Sequence, residues 1–402
     1  MDACVARQPI FTANKNVYGY ELLFRDGISG LFPDIDGQVA TSRVLSDTFL
    51  EMGIDKVTGN KKAFVNFSEQ SLTAGFPELF PKNILVVEIL EDVSPDDKVI
   101  SVCRDLAGKG YIIALDDFVY REELEPLIAT AHIIKFDFRL APMEKLADDI
   151  SVVSGRGLKL LAEKVETHHE FKKAMEVGFD YFQGFFFSKP DLLRKKALSP
   201  SKIALVEMVA EVNNESFRLP RLEKMIARDI SISYKLMRYV NSAFFRRIHE
   251  VSSIRQAVAL LGEKEIRRFV SFIAMTDLAA GKPDELIRDS IVRAVFCELT
   301  ALKAGINDGS EHFTMGLFSV IDAILDQPME EIMENLPLGK DIKAALTERS
   351  GSFAVFLSIV EFYISADWQR MEASCGELGI DHADMGRIYL DSVQKADRLS
   401  EI

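Results

Sequence analysis

The chain has 402 residues, of which 48% are apolar and 27% are charged, and its formal net charge is −14. This composition predicts a soluble globular protein of two or three domains, and the negative charge argues against a general nucleic-acid-binding protein. No uncharged apolar run approaches the roughly 20 residues that a membrane span needs, so no membrane contact is expected. No signal peptide is visible and the four cysteines lie far apart, which favours reduced thiols and a cytoplasmic location.

The first half of the chain alternates between short apolar runs and polar helical stretches. Because most of the runs are apolar throughout, they predict strands buried on both faces. Their alternation with helices, such as Lys98–Gly108, predicts a parallel sheet with crossover helices. Eight strands in under 200 residues is short for a (β/α)8 barrel but does not exclude one. The predicted strands are "CVARQPIF", "VYGYELLFR", "KAFVNF", "NILVVEI", "YIIALDD", "HIIKFD", "LKLLAE" and "YFQGFFF".

The composition changes after residue 187. Residues 188–202 contain two prolines and a basic cluster, which predicts a linker. From residue 203 to residue 402, apolar residues recur three and four apart, as in "KIALVEMVAEV" and "SIRQAVALLG", which is typical of helices. The sequence therefore predicts an α/β domain over residues 1–187 and an all-α domain over residues 203–402.

Polar side chains stand at the carboxyl end of nearly every predicted strand of the first half. A strand has to leave the sheet for water, so an occasional polar end is expected by chance, but seven consecutive strands ending in this way favour one site. In a (β/α)8 barrel the active site forms at this end of the strands. The residues are Glu21, Asn66, Glu88, Asp116, Asp117, Lys135, Asp137, Glu163 and Gln183.

The adjacent Asp116 and Asp117 follow the apolar run Ile112–Leu115. One interpretation is a turn, which aspartate favours. The other is a metal site, because two neighbouring carboxylates repel each other unless a cation or a proton separates them. Carboxylates with an amide oxygen and without a histidine or cysteine cluster favour Mg²⁺ or Mn²⁺. Two such ions would explain the aspartate pair and suit in-line displacement at phosphorus.

The ordered motifs "ARQPIF…YGYELLFR…FVNFS…VVEILE…ALDDF…IKFD…LLAEKVE…FQGF", within residues 3–187, resemble the EAL domain. That family hydrolyses cyclic di-GMP on a modified (β/α)8 barrel with Mg²⁺ or Mn²⁺, and the resemblance implies this fold and this cofactor. It implies that Lys135 and Glu163 position or deprotonate the attacking water. It implies metal ligands at Glu21, Asn66, Glu88, Asp116 and Asp117. It implies a substrate-binding group made of Gln8, Pro9, Leu23, Arg25, Asp137 and Gln183. It also implies that Asp137 assists the metal site.

Two departures from the EAL pattern bear on activity. After "DDF" the active family has a Gly- and Ser-rich loop that couples metal binding to dimerisation and activity, whereas this chain has "VYREELEPL". The family motif "AEGVE" is "AEKVE" here, so Lys164 stands beside Glu163 and could pair with a carboxylate. We therefore expect a cyclic di-GMP-related signalling protein with weak or no hydrolysis. The alternative is an active metal-dependent phosphodiesterase that gives pGpG.

Residues 229–270 resemble the HDOD domain, a helical relative of the HD phosphohydrolases, through "LMRYVNSAF" and "IRQAVALLG". HD hydrolases bind metal through a His-Asp dipeptide, which occurs nowhere in this chain. "GLFSVID", Gly316–Asp322, stands where it would be expected, so we expect no metal after residue 203. Together the halves resemble the bacterial EAL–HDOD signalling proteins, sometimes called YuxH-like, which implies that the helical domain relays the signal to a protein partner. The sequence leaves a homodimer open.

Two further features favour ordinary interpretations. "THHE", Thr167–Glu170, could indicate metal binding, but a solvated helix cap is favoured. A basic cluster could meet nucleic acid, but contact with acidic protein surface is favoured in so acidic a chain. This cluster consists of Arg246, Arg247, Arg267 and Arg268.

Overall fold

The computed structural model describes residues 5–24, 54–139, 143–190, 205–206, 208–209, 211–212, 217–241, 251–336 and 338–400. The chain divides into two compact units, Met1–Phe187 with Tyr363–Trp368, and Ser188–Phe362 with Gln369–Ile402. The first half holds an α/β barrel and the second half is helical, as the sequence predicts. The domain limits proposed at residues 187 and 202 remain a prediction.

Eight strands close into one barrel in sequence order. Strands β2 to β8 run parallel to one another, whereas β1 is antiparallel to both β2 and β8. The modified (β/α)8 fold is therefore confirmed, with one strand reversed relative to the parallel sheet expected. The strands are β1 (Val5–Thr12), β2 (Val17–Phe24), β3 (Lys62–Phe67), β4 (Leu85–Ile89), β5 (Ile112–Leu115), β6 (Ile133–Asp137), β7 (Lys159–Glu163) and β8 (Tyr181–Gln183).

A tight turn reverses the chain between β1 and β2. Lys15 adopts a left-handed backbone conformation with a φ of +60°. Its N–H donates to the carbonyl of Thr12 at 2.8 Å, and the Thr12 N–H donates to the carbonyl of Asn16 at 2.9 Å. The connection between the two strands is too short for a crossover, which parallel strands need and which takes about a dozen residues or more. The two strands must therefore pair as a hairpin.

One layer of apolar side chains fills the barrel interior, formed by Ile10, Phe64, Val86, Ala114, Ile133 and Leu161. Side chains two residues apart on a strand share a face. Asn66, Glu88 and Lys135 each lie two residues after a member of this layer, so they point into the same interior nearer the carboxyl ends. Because β1 runs the opposite way, the matching residue there is Gln8, two positions before Ile10.

Helices connect the strands of the barrel, and the helix Asp97–Lys109 confirms the one predicted at Lys98–Gly108. The "THHE" segment caps α6: Thr167 accepts from the backbone N–H of Glu170, whose carboxylate accepts from the backbone N–H of Thr167 at 3.0 Å. The prediction of a cap is confirmed. The helices are α1 (Ile54–Thr58), α2 (Glu69–Thr73), α3 (Asp97–Lys109), α4 (Glu125–Ile128), α5 (Met143–Val153) and α6 (His168–Val177).

The second half is helical. A Cβ at Gly316 would lie 2.4 Å from the carbonyl oxygen of Arg293, so α11 packs closely on α10 only with glycine there. Across the described residues, no helix combines the length and apolar character needed to cross a membrane. The helices are α7 (Leu219–Arg228), α8 (Ile230–Val240), α9 (Ile254–Leu278), α10 (Asp284–Lys303), α11 (Ser310–Phe318), α12 (Ile321–Leu325), α13 (Met329–Asn335), α14 (Lys340–Thr347), α15 (Ala354–Ile364), α16 (Trp368–Glu377) and α17 (Asp384–Ser400).

The predicted basic cluster is only partly described, since Arg246 and Arg247 lie outside the described residues. Arg267 pairs with Glu263 at 2.6 Å within one helix. The guanidinium of Arg268 donates to both oxygens of Glu298 and lies over the ring of Phe313, 4.2 Å from its centroid. Both described arginines therefore have carboxylate partners within the chain.

Candidate metal-binding site

The polar strand ends predicted from the sequence lie together at one end of the barrel. Parallel strands bring their carboxyl ends to the same edge, and the reversed β1 brings Gln8 to that edge as well. Most of these side chains are buried, although they are charged or polar. Strand register sets six of them side by side in pairs, which are Gln8 and Glu21, Asn66 and Glu88, and Asp137 and Glu163.

Two amide side chains hold the carboxylate of Glu21. Asn66 Nδ2 donates to Glu21 Oε1 at 3.1 Å, and Gln183 Nε2 donates to Oε2 at 2.6 Å. Gln183 Nε2 also lies 3.2 Å from Gln8 Oε1. Hydrogen bonds to both oxygens fix the orientation of the carboxylate. Glu21 is therefore preorganised among the strand ends.

The "FQGF" motif allows the end of β8 to approach the segment after β7. The N–H of Val165 donates to the carbonyl of Gln183 at 2.9 Å. Gly184 has a φ of +143°, and a Cβ there would lie 2.1 Å from the carbonyl oxygen of Val165. Only glycine fits this approach. The backbone on either side of the site is thereby fixed by main-chain contacts.

Lys135 lies in the middle of the carboxylates and is fully buried. Its Nζ lies 2.7 Å from Glu88, 2.8 Å from Asp116 and 2.8 Å from Glu163. Glu21 is farther, at 3.8 Å. Burial alone would lower the pKa of Lys135, but these carboxylates together raise it well above its ordinary value. Lys135 is therefore a permanent ammonium.

The site holds more carboxyl groups than Lys135 could neutralise if all of them were ionised. Burial raises the pKa of Glu88 and of Glu163 well above the ordinary value, and Lys135 opposes this only in part. Burial, with the charge of Asp116, raises the pKa of Asp117 to about 6. Unfavourable crowding of carboxylates at one buried place is relieved by a bound cation. The electrostatics therefore favour a cation site.

The donor atoms fit a hard divalent cation. Asp116, Asp117 and Glu163 each offer an oxygen, and these oxygens lie within 4.8 Å of one another. Three buried oxygens, Asn66 Oδ1, Glu88 Oε2 and Asp117 Oδ1, have no hydrogen-bond donor among the described residues. Buried polar atoms without partners are rare in folded proteins. Oxygen-only ligands suit Mg²⁺, Mn²⁺ or Ca²⁺ better than softer metals.

Asp137 is engaged by groups of the chain itself. Its Oδ1 accepts from the backbone N–H of Arg139 at 2.6 Å, and its Oδ2 forms an ion pair with Lys164. Sequence reasoning left the partner of Lys164 open; the structure places it on Asp137 rather than on Glu163. The signal was the lysine in a motif position where the EAL pattern has glycine. The predicted assistance of Asp137 to a metal stays a prediction.

The segment that replaces the Gly- and Ser-rich loop is held by polar contacts. Tyr120 donates to Glu125 at 3.1 Å, Arg156 pairs with Glu125 at 2.7 Å, and Arg121 donates to the carbonyl of Glu91 at 3.4 Å. Beneath it lies a cavity of about 390 Å³ beside the two aspartates. It is lined mainly by apolar residues, including Ile89, Val93, Leu115, Phe118, Leu124 and Leu127.

For three of the predicted site residues, the structure adds little to the sequence analysis. Arg25 lies outside the described residues. Pro9 and Leu23 are half-buried on β1 and β2. The pocket-lining role of Pro9 and Leu23 stays a prediction, as do the individual catalytic, metal-binding and substrate-binding roles of the other site residues. In the second half, Ser319 donates to the carbonyl of Gly316 at 2.7 Å.

A closed barrel with a buried carboxylate cluster at its strand ends, followed by helices, defines a two-domain protein with a candidate metal site. The EAL domain family matches residues 28–190 and the HDOD domain family matches residues 199–337. Cyclic di-GMP phosphodiesterase CdgJ of Vibrio cholerae serotype O1 is 39% identical over 392 residues, covering 96% of this chain and 91% of that protein. The uncharacterized protein YuxH of Bacillus subtilis is 34% identical over 411 residues, covering 100% of both. The chain belongs to the family of EAL–HDOD proteins.

Two solved structures are similar to part of this chain. Klebsiella pneumoniae BlrP1, in a calcium and cy-diGMP complex, is 21% identical, with a TM-score of 0.38 over 47% of this chain and 56% of that chain. An EAL domain protein from Listeria monocytogenes EGD-e is 21% identical, with a TM-score of 0.37 over 46% of this chain and 87% of that chain.

Proposed function

We propose that the chain is a bacterial signalling protein whose barrel binds cyclic di-GMP with Mg²⁺ or Mn²⁺ and has little or no hydrolytic activity. The observation that carries this is the buried carboxylate cluster around Lys135, in which Asn66 Oδ1, Glu88 Oε2 and Asp117 Oδ1 have no hydrogen-bond donor among the described residues. Such a cluster needs a cation, and a cation at a strand-end pocket attracts a phosphodiester. The full-length relationship to a protein named as a cyclic di-GMP phosphodiesterase supports this choice of ligand.

Different residues of the site would have different roles. Glu21, Asn66, Glu88, Asp116 and Asp117 would hold the cation, whose charge would draw the phosphodiester to the strand ends. Gln183 keeps Glu21 oriented through its 2.6 Å hydrogen bond. Lys135 holds Glu163 at 2.8 Å. The raised pKa of Glu163 suits a group that accepts a proton from water.

The segment after Asp117 supports low hydrolytic activity. In-line attack on phosphorus fails when the water or the ligand is misplaced by about an ångström. The Gly- and Ser-rich loop of active EAL domains couples metal binding to activity. Here the contacts of Tyr120, Arg121 and Glu125 hold a different segment in that place. We infer that binding is retained better than turnover.

The second candidate is an active phosphodiesterase that opens cyclic di-GMP to pGpG. The specific observation in its favour is the pair Lys135 and Glu163, which lies in contact beside the candidate metal ligands. The name of the Vibrio cholerae relative points the same way. In this reading the replaced segment only changes how activity is regulated.

The proposal includes the helical domain and the setting. We infer that the domain over residues 203–402 relays the state of the barrel, residues 1–187, to a protein partner in the cytoplasm, across a linker at residues 188–202. Degeneration of the HD motif to "GLFSVID" supports a role in interaction. A homodimer is tested by light scattering, which should give about twice the mass of one chain if the protein self-associates.

Calorimetric titration of the full chain with cyclic di-GMP tests the proposal. Binding is expected with Mg²⁺, Mn²⁺ or Ca²⁺ and not with EDTA. Asp116→Asn should abolish it, whereas Asp105→Asn, which removes an exposed carboxylate paired with Lys109, should not. Chromatography of the same samples should find little pGpG. Rapid conversion would establish the second candidate, and no binding under any condition would overturn both.

A further inference from the structure

Lys164 occupies a backbone conformation that lysine rarely adopts. It follows β7 directly, with a φ of +53°, in the left-handed region that favours glycine. Its neighbour Val165 donates to the carbonyl of Gln183 at 2.9 Å and accepts from the N–H of Phe186 at 3.2 Å. These contacts hold the strained residue in place. The direction in which the lysine leaves the barrel is therefore set by the main chain.

The ammonium of Lys164 reaches the outer side of the carboxylate cluster. It forms an ion pair with Asp137, whose side chain is only 1% exposed, while that of Lys164 is 48% exposed. The charge of Lys164 also acts on Asp117, where it opposes the effects of burial and of Asp116. Lys164 thus forms an ion pair with Asp137 and acts on Asp117 through its charge. We call Asp117 and Asp137 the outer pair.

The two lysines of the site form ion pairs with different carboxylates. Among the described residues, Lys135 forms ion pairs with Glu88, Asp116 and Glu163 but with neither member of the outer pair. Lys164 forms its ion pair with Asp137, and its charge also acts on Asp117 and Glu163. A divalent ion placed against the outer pair would meet the ammonium of Lys164, and like charges at contact distance repel strongly where water is partly excluded.

We propose that Lys164 is a tethered cation that takes the place of a second divalent ion, so that the barrel holds one divalent ion per chain instead of two. The proposal rests on the metal site of the proposed function. It assigns the remaining ion to the other ligands of the proposed function, Glu21, Asn66, Glu88 and Asp116. Asp117 is withdrawn from that ligand set, because the outer pair receives a covalently attached positive charge instead. The observation that carries the proposal is the ion pair of Lys164 with Asp137, a buried aspartate beside the carboxylate cluster.

Metal stoichiometry of the full chain tests the proposal. We would measure bound Mn²⁺ by equilibrium dialysis with elemental analysis, and metal–metal coupling by electron paramagnetic resonance. The wild type is expected to bind one Mn²⁺ without coupling. Lys164→Gly removes the ammonium and suits the positive φ, so the variant should fold, bind two Mn²⁺ and show a coupled-pair signal.

Two control variants isolate the charge. Lys164→Arg keeps a cation and should still bind one Mn²⁺. Lys15→Gly replaces another left-handed lysine, with a φ of +60°, in the β1–β2 turn, and should also bind one. Two ions in the wild type, or one in Lys164→Gly, would overturn the proposal while leaving the metal site intact. No Mn²⁺ in any variant would overturn the proposed function itself, and the tethered-cation proposal with it.

Discussion

Lys135 and Glu88 form an ion pair in which neither side chain is exposed: Nζ lies 2.7 Å from Oε1. Taking both charges out of water costs several kcal/mol by a rough estimate, and the pair is stable only because further partners surround it. Lys135 has those partners in Asp116 and Glu163. The barrel interior is therefore built around one ammonium, and the surrounding negative charge prepares it for a further cation.

Replacement of Lys135 by Met should strongly destabilise the metal-free protein. The change leaves buried carboxylates without a counter-ion, and breaking a buried pair from one side costs about 3–5 kcal/mol. Urea denaturation in EDTA measures the loss, and excess Mn²⁺ should recover part of it. Lys159→Met, which removes an exposed partner of Asp180, is the control and should cost much less, because solvent screens an exposed ion pair. Equal effects of the two changes would contradict this account.

Asp116→Asn should remove the response of stability to divalent ions. Wild-type protein should gain roughly 2.7 kcal/mol when the free ion is at a hundredfold excess over its dissociation constant. In EDTA the substitution should change stability little, because it relieves repulsion with Asp117 while Lys135 retains Glu88 and Glu163. Thermal melts with EDTA and with Mg²⁺ or Mn²⁺ compare the two proteins. A turn without metal would leave both melts unchanged by the ion.

Gly184→Ala should unfold or severely destabilise the barrel. Its Cβ would lie 2.1 Å from the carbonyl of Val165, and the overlap involves backbone that cannot rotate away. We expect a loss of about 3 kcal/mol or more. Gly178→Ala is matched, because Gly178 also has a positive φ, of +102°, but no atom within 4 Å of an added Cβ. It should cost about 1 kcal/mol. Denaturation midpoints that fall equally would show that strain, not the close approach, matters.

His312 should make the helical half less stable in acid. Burial lowers the pKa of His312 to about 4, with Asp308 opposing, and the ring stacks on Phe353 at 4.4 Å. The unfolded chain protonates this residue near pH 6.5. Its contribution is therefore complete above pH 6.5 and is lost as the pH falls towards 4, by up to roughly 2–3 kcal/mol.

His312→Leu should flatten this part of the stability profile. Urea unfolding of both proteins at several pH values between 4 and 7 is the measurement, read as the difference between the two proteins at each pH. An identical slope in the variant would show that other groups cause the acid sensitivity.

Local sequence patterns predict which residues gather at the site. The apolar runs that stop at Asn66, Glu88 or Asp116 are local signals. Side chains two residues apart on a strand lie on the same face, so a polar residue at the strand end can be assigned to the interior from the sequence. The helix cap at Thr167 could also be predicted from the sequence, because its two hydrogen bonds join residues within one four-residue segment. The direction of β1 was also within reach, because its short connection to β2 forbids a crossover.

The pairing of lysines with carboxylates depends on the tertiary structure. Lys164 and Asp137 are 27 positions apart and come into contact only because β6 and β7 are neighbours in the closed barrel. Lys135 could be assigned to the site from the sequence, but its simultaneous contact with Glu88, Asp116 and Glu163 depends on strand register around the ring. Ion pairs act through space over a few ångströms, whereas a sequence motif records only order along the chain.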